Sequence, residues 1–192
     1  MPKRKLQKLR MLKIKIPRQE QFNEVTNEFF YYPDKDIELQ LEHSLLSVSR
    51  WESKWHKPFL TNRDKMSNEE LIDYIRCMCL NPLNDPGVLN YLTLEDIGKI
   101  AAYIGDPMTA TTFRDDGQKK SMEIITNEII YYWMVSYQIP FETQKWHLNR
   151  LITLIRVCSE KNAPKKKMKT GDIIARNRAL NKARRQQLNS KG

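Results

Sequence analysis

Three cysteines and three histidines are the side chains of this 192-residue chain best suited to metal binding or nucleophilic chemistry. Cys77 and Cys79 lie two apart in an apolar run, so on a helix they point in different directions. Tetrahedral zinc needs four convergent ligands, and His43, His56 and His147 are scattered, so no structural metal is expected. An odd number of cysteines also excludes a fully paired disulfide framework. Cys158 and His147 are the residue types of a nucleophile and its base. Cys158, however, continues the apolar stripe of Leu148, Leu151, Ile152 and Ile155, where a free cysteine is ordinarily packing. The chain has no glycine-rich phosphate loop, no G-x-S-x-G turn and no H-E-x-x-H helix. The expectation is a protein that needs no cofactor and works by binding rather than by catalysis.

Charge supplies the other chemistry. The net charge is +10, but it is unevenly spread. Residues 1–18 hold eight Lys/Arg and no acid, residues 163–192 hold ten Lys/Arg against Asp172, and residues 19–162 are net negative. The candidate partner-binding residues of the basic tail are Lys165, Lys166, Lys167, Lys169, Arg176, Arg178, Arg184 and Arg185. Clustered cations of this kind neutralise nucleic-acid phosphates and release counterions, or grip an acidic protein surface, or only keep a tail solvated. No aromatics interleave with them, so there is no stacking platform for reading bases. Trp51, Trp55 and Trp133 sit at helical spacing and read as core. Trp146 lies off the Leu148, Leu151 and Ile155 stripe and is the candidate aromatic anchor for a partner.

The elements that must position these residues follow from periodicity. Leu12, Ile14 and Ile16 alternate with lysines, Ile37, Leu39 and Leu41 alternate with Glu38, Gln40 and Glu42, and the aromatic run Glu28–Tyr32 predicts a further strand. A helical period begins at Ser44 with Leu45, Val48, Trp51 and Trp55 and closes at Pro58. Ser67 and Glu70 form a capping box ahead of Leu71, Ile72, Ile75 and Met78, and Thr93 with Asp96 makes a similar start before Ile97, Ile100 and Ile104. Polar residues 106–120 predict a loop. Helices are predicted over Ser121–Gln138 and from about Pro140 to Cys158, and their short connection predicts two antiparallel helices in contact.

The fold class expected is mainly α (α+β), with short N-terminal antiparallel strands packed on a bundle of about five helices. Residues 1–42 would carry the strands, 43–161 the helical core, and 162–192 a basic tail, loose when free and helical when bound. No window approaches the roughly 18 apolar residues of a membrane span, and the N-terminus lacks the apolar core of a signal peptide. No membrane partner is therefore expected.

Two stretches resemble tail assembly chaperones of long-tailed bacteriophages. The first is Leu39-Gln-Leu-Glu-His-Ser-Leu-Leu-Ser-Val-Ser-Arg-Trp-Glu-Ser-Lys-Trp-His-Lys-Pro-Phe59. The second is Ile129-Ile-Tyr-Tyr-Trp-Met followed by Ile139-Pro-Phe-Glu-Thr-Gln-Lys-Trp-His-Leu-Asn-Arg-Leu-Ile-Thr-Leu-Ile-Arg-Val-Cys158. The closing segments Arg176–Arg185 and Asn189–Gly192 also fit. The resemblance implies a non-enzymatic assembly factor of the host cytoplasm, absent from the finished virion. Such a factor binds the tape measure protein, keeps it soluble and helps the major tail protein polymerise around it. The family often makes a longer second product by ribosomal frameshifting, and the resemblance assigns no residue-level site. Two alternatives remain open: a phage nucleic-acid-binding protein using both basic ends, and a virion head–tail structural protein. A homo-oligomer is compatible with all three.

Overall fold

The computed structural model describes residues 11–113, 123–163 and 170–189. It shows a mainly helical α+β fold. The N-terminal segment contains four short strands, β1 (Leu12–Ile16), β2 (Gln19–Asn23), β3 (Glu28–Tyr32) and β4 (Ile37–Leu41). β1 pairs antiparallel with β4, Ile14 opposite Leu39 and Ile16 opposite Ile37, and β2 pairs with β3, Phe22 opposite Phe29. Between the two ladders the outgoing strand spends two residues and the return strand four, so the ribbon bends there. The Arg18 backbone N–H donates to Asp36 across the bend at 2.9 Å.

Alternation fixes which part of this ribbon joins the core. Ile14, Ile16, Leu39 and Leu41 are fully buried on one face of β1–β4, while Lys13 pairs with Glu38 at 2.5 Å on the other. β2 was not anticipated: Gln-Glu-Gln-Phe-Asn has no apolar alternation, and its strand conformation comes from pairing with the aromatic β3. This distal ladder, which includes the predicted strand β3, stays largely exposed, so the expectation that the strands pack on the body holds for β1–β4 and not for β3.

The helices are α1 (Leu45–Trp55), the single turn α2 (Phe59–Asn62), α3 (Asn68–Met78), α4 (Leu94–Gly105), α5 (Asn127–Ser136), α6 (Leu148–Asn162) and α7 (Thr170–Leu188). The Ser67/Glu70 and Thr93/Asp96 capping boxes are both formed, each serine or threonine oxygen accepting the N–H three residues on. Ser44 caps α1 in the same manner with Ser47 as its reciprocal partner. α1 is the central element: it packs on α3, on α5 and on the 3-10 turn Phe141–Lys145. Trp51 is wholly buried there. Its indole N–H donates to the Glu70 carbonyl at 3.0 Å and its ring meets Phe59 edge-on at 5.6 Å.

Three expectations need correction. The helix predicted over Ser121–Gln138 is observed only from Asn127 to Ser136, with residues 123–126 in no regular element and Ser121 outside the described residues. The segment predicted as a helix from Pro140 is instead the 3-10 turn Phe141–Lys145, followed by extended Trp146 and then α6. The helix breaks there because His147 bridges to Ser44 and the His43 carbonyl accepts the Leu148 N–H at 2.9 Å. Tertiary hydrogen bonds override the local period. Finally, the main helical neighbour of α5 is α1, in place of the expected pairing with α6. By internal contacts the chain divides into two units, Met1–Ser159 and Glu160–Gly192.

Candidate partner-binding surfaces

Of the predicted basic residues, Lys165, Lys166, Lys167 and Lys169 lie outside the described residues. Arg176, Arg178, Arg184 and Arg185 all lie on α7, whose described side chains are exposed along its length. At about 100° per residue, Arg178, Lys182 and Arg185 fall within one narrow stripe. Arg176 and Arg184 flank Ile173 and Leu180 on the other side. α7 therefore presents a basic stripe and a mixed basic–aliphatic one, with no wide apolar face of its own. Of the two states expected for this tail, loose when free and helical when bound, Thr170–Leu188 shows the helix, 19 residues long.

Trp146 is half-buried at the end of the 3-10 turn, and the Arg150 guanidinium lies over its ring, 4.4 Å from the centroid. One face of the predicted aromatic anchor is thus occupied by a cation–π contact within the chain.

His43 and His147 occupy a buried polar cluster between α1, α3, α4 and the start of α6, while His56 is exposed. His43 Nδ1 is hydrogen-bonded to the Tyr74 hydroxyl, and the His43 backbone N–H donates to the Tyr103 hydroxyl at 3.4 Å. His147 Nε2 is 2.9 Å from the Tyr103 carbonyl, so the proton belongs on that nitrogen. The two imidazoles meet edge-on at 5.0 Å. Burial first, then the neighbouring His147 and Arg63, pushes the His43 pKa down to about 3. Burial lowers that of His147 as well, partly opposed by its hydrogen bond to the Tyr103 carbonyl. Both rings are therefore neutral at neutral pH. His147 Nδ1 has no hydrogen-bond partner among the described residues.

His147 and Cys158 do not form a dyad. Cys158 lies eleven residues farther along α6, which at the helical rise is about 16 Å away. Burial raises the thiol of Cys77 and pushes that of Cys79 up to about 11, so these two are held protonated. Among the described residues no group of three or more His, Cys, Asp or Glu could hold a metal ion. Among them, too, no helix is long and apolar enough to cross a membrane.

Carboxyl groups invisible as functional in the sequence organise the middle of the body. Glu52 is buried on α1 and accepts the Phe59 N–H at 2.7 Å, the Asn127 N–H at 2.8 Å and the Asn127 side-chain amide at 2.6 Å. Asp73 accepts from Lys54 at 2.6 Å, from the Trp55 indole at 2.9 Å and from Arg76 at 2.7 Å. A cleft of about 420 Å³ between the β3–β4 bend and the loop after α3 is lined by Tyr32, Asp34, Asp36, Glu38 and Asp85 among others. Most of that acid is engaged: Tyr32 donates to Asp85, which also accepts the Gly87 N–H, and Glu38 pairs with Lys13. The hydrogen bond to Asp85 pushes the Tyr32 hydroxyl up to about 12.

Among the described residues, α7 presents an exposed cationic surface and the β2–β3 ladder an exposed aromatic one. The chain matches no protein-family model, no curated protein and no solved structure.

Proposed function

We propose that the chain is a tail assembly chaperone of a long-tailed bacteriophage, acting in the host cytoplasm by binding rather than by catalysis. It holds the tape measure protein and assists the major tail protein in forming the tube. The observation that carries this reading is the resemblance of Leu39–Phe59 and Ile129–Cys158 to such chaperones. The exposed, cation-rich α7 supports it, because a long helical client with acidic stretches can be gripped by Arg and Lys side chains that need no deep pocket.

Co-expression with the tape measure protein of the same genome is expected to move that protein from the insoluble to the soluble fraction. The quadruple variant R176Q/R178Q/R184Q/R185Q removes four charges from α7 and is expected to weaken the association by about tenfold or more. Mass spectrometry of purified particles should find the chain absent. Finding it in the particle would favour the head–tail structural alternative.

One observation favours a second reading. An exposed helix bearing Arg176, Arg178, Lys182, Arg184 and Arg185 is also suited to nucleic-acid phosphates. That reading requires duplex or single-strand affinity that falls steeply with salt, and absence of binding at about 50 mM salt would exclude it.

A further inference from the structure

The β2–β3 ladder is built unlike the rest of the body. Phe22, Val25, Phe29, Phe30 and Tyr31 crowd onto two five-residue strands and their turn, and all are exposed, Phe29 by 69% and Val25 by 94%. Phe22 and Phe29 face each other across the ladder with ring centroids 4.9 Å apart. The turn is defined despite this exposure: Asn23 Oδ1 accepts the Val25 N–H at 2.9 Å, the Asn27 N–H returns to the Asn23 carbonyl at 2.8 Å, and Asn27 sits in the left-handed region at φ 57°. At the base, the Tyr32 ring packs on Tyr91 at 4.8 Å and its hydroxyl donates to Asp85, so the arm is anchored where it leaves the body. A two-stranded ribbon with its aromatics in water gains little from its own burial, and an anchored apolar patch of this kind marks an interaction site.

Charge says what covers it. Glu20 lies on the same face as Phe22 and Phe29, and Glu24 lies in the turn beside them; both are exposed and without an ion pair among the described residues. The arm already shows how it receives a cation: the Arg18 guanidinium lies over the Tyr31 ring, 3.7 Å from its centroid. We infer that the β2–β3 arm is a docking element for a lysine- and arginine-rich amphipathic segment of a partner protein. The partner's aliphatic side chains cover Phe22 and Phe29, which share one face of the ribbon, and its cations meet Glu20 on that face and Glu24 at the turn. This surface differs from α7 in charge and chemistry, and the inference does not rest on the assembly reading.

The test uses the full chain and two synthetic 20-residue peptides with the same leucine stripe, one flanked by Lys/Arg and the other by Glu. Binding is followed by fluorescence anisotropy of the labelled peptide. The Lys/Arg peptide is expected to bind and the Glu peptide to bind at least tenfold more weakly. F22S/F29S should weaken the former by about tenfold or more, since buried aromatics dominate such contacts. E20Q/E24Q, which keeps every ring, should weaken it several-fold and flatten its salt dependence. An unchanged thermal transition in both variants shows that the body remains folded. Failure of the full chain to bind the Lys/Arg peptide, equal preference for the Glu peptide, or indifference to both variants would each overturn the inference. So would a concentration-dependent dimer in sedimentation that F22S/F29S abolishes, because the occupant would then be a second copy.

Discussion

Replacing Glu52 with alanine is expected to destabilise the folded chain by about 3–5 kcal/mol, read as a shift in the chemical-denaturation midpoint. The side-chain oxygens of Glu52 accept three N–H groups, all from Phe59 and Asn127, which are themselves buried. Each unsatisfied buried donor costs about 1–3 kcal/mol, far more than the net gain from making the same bond. Those bonds also fix where α2 and α5 begin relative to α1, so losing them loosens three elements together. E52Q keeps the shape but turns an N–H₂ toward groups that are themselves donors, and should lose at least half as much. A loss below about 1 kcal/mol for E52A would mean that Glu52 does not hold these starts in place.

The second large effect is on acid stability. His43 is neutral in the fold with a pKa near 3, while in the unfolded chain it titrates near 6.5. Above pH 6.5 the group is neutral in both states and contributes no pH dependence. Below it the unfolded chain takes up a proton that the folded chain refuses, so stability falls with pH through the window from 6.5 toward 3. By pH 5 the loss from His43 alone is about 2 kcal/mol. His147 adds to it in the same direction, since burial lowers its pKa also. Glu70 and Asp73 are held low by Lys57 and by Lys54 and Arg76, so their contribution is lost only at more acid pH. The window between pH 5 and 6.5 therefore reports the histidines. His43→Asn, which keeps an acceptor for the Tyr74 hydroxyl, should flatten the slope of unfolding free energy against pH there by about half or more. An unaltered slope would show that His43 is not the group being titrated.

The fold was legible where one residue type had one physical reading. Capping boxes at Ser67 and Thr93 depend on neighbours three residues apart, and alternation in β1 and β4 on a single buried face; both can be counted along the chain. The unforeseen features depend on partners far away in sequence. β2 exists because Phe22 finds Phe29 and Gln19 finds Tyr32, and nothing within Gln19–Asn23 announces a strand. α6 starts at Leu148 because its N–H reaches the His43 carbonyl, more than a hundred residues earlier. Ser121–Thr126 carries enough helical period to extend α5, yet Glu52 ties the observed start to Asn127. Of the predicted binding residues, the four arginines of α7 are placed together on one exposed helix, whereas Trp146 shares its ring with Arg150. The aromatic arm escaped notice as a surface because Phe-Phe-Tyr-Tyr in a strand ordinarily means core.

The role proposed for this chain is the holding of a phage assembly partner. Affinity purification of the tagged full-length chain, co-expressed with the tape measure protein and washed over a range of salt concentrations, tests it most directly. The predicted result is a complex that survives about 50 mM salt and is markedly depleted in the R176Q/R178Q/R184Q/R185Q variant. No tape measure protein on the chain at any salt concentration would contradict the claim.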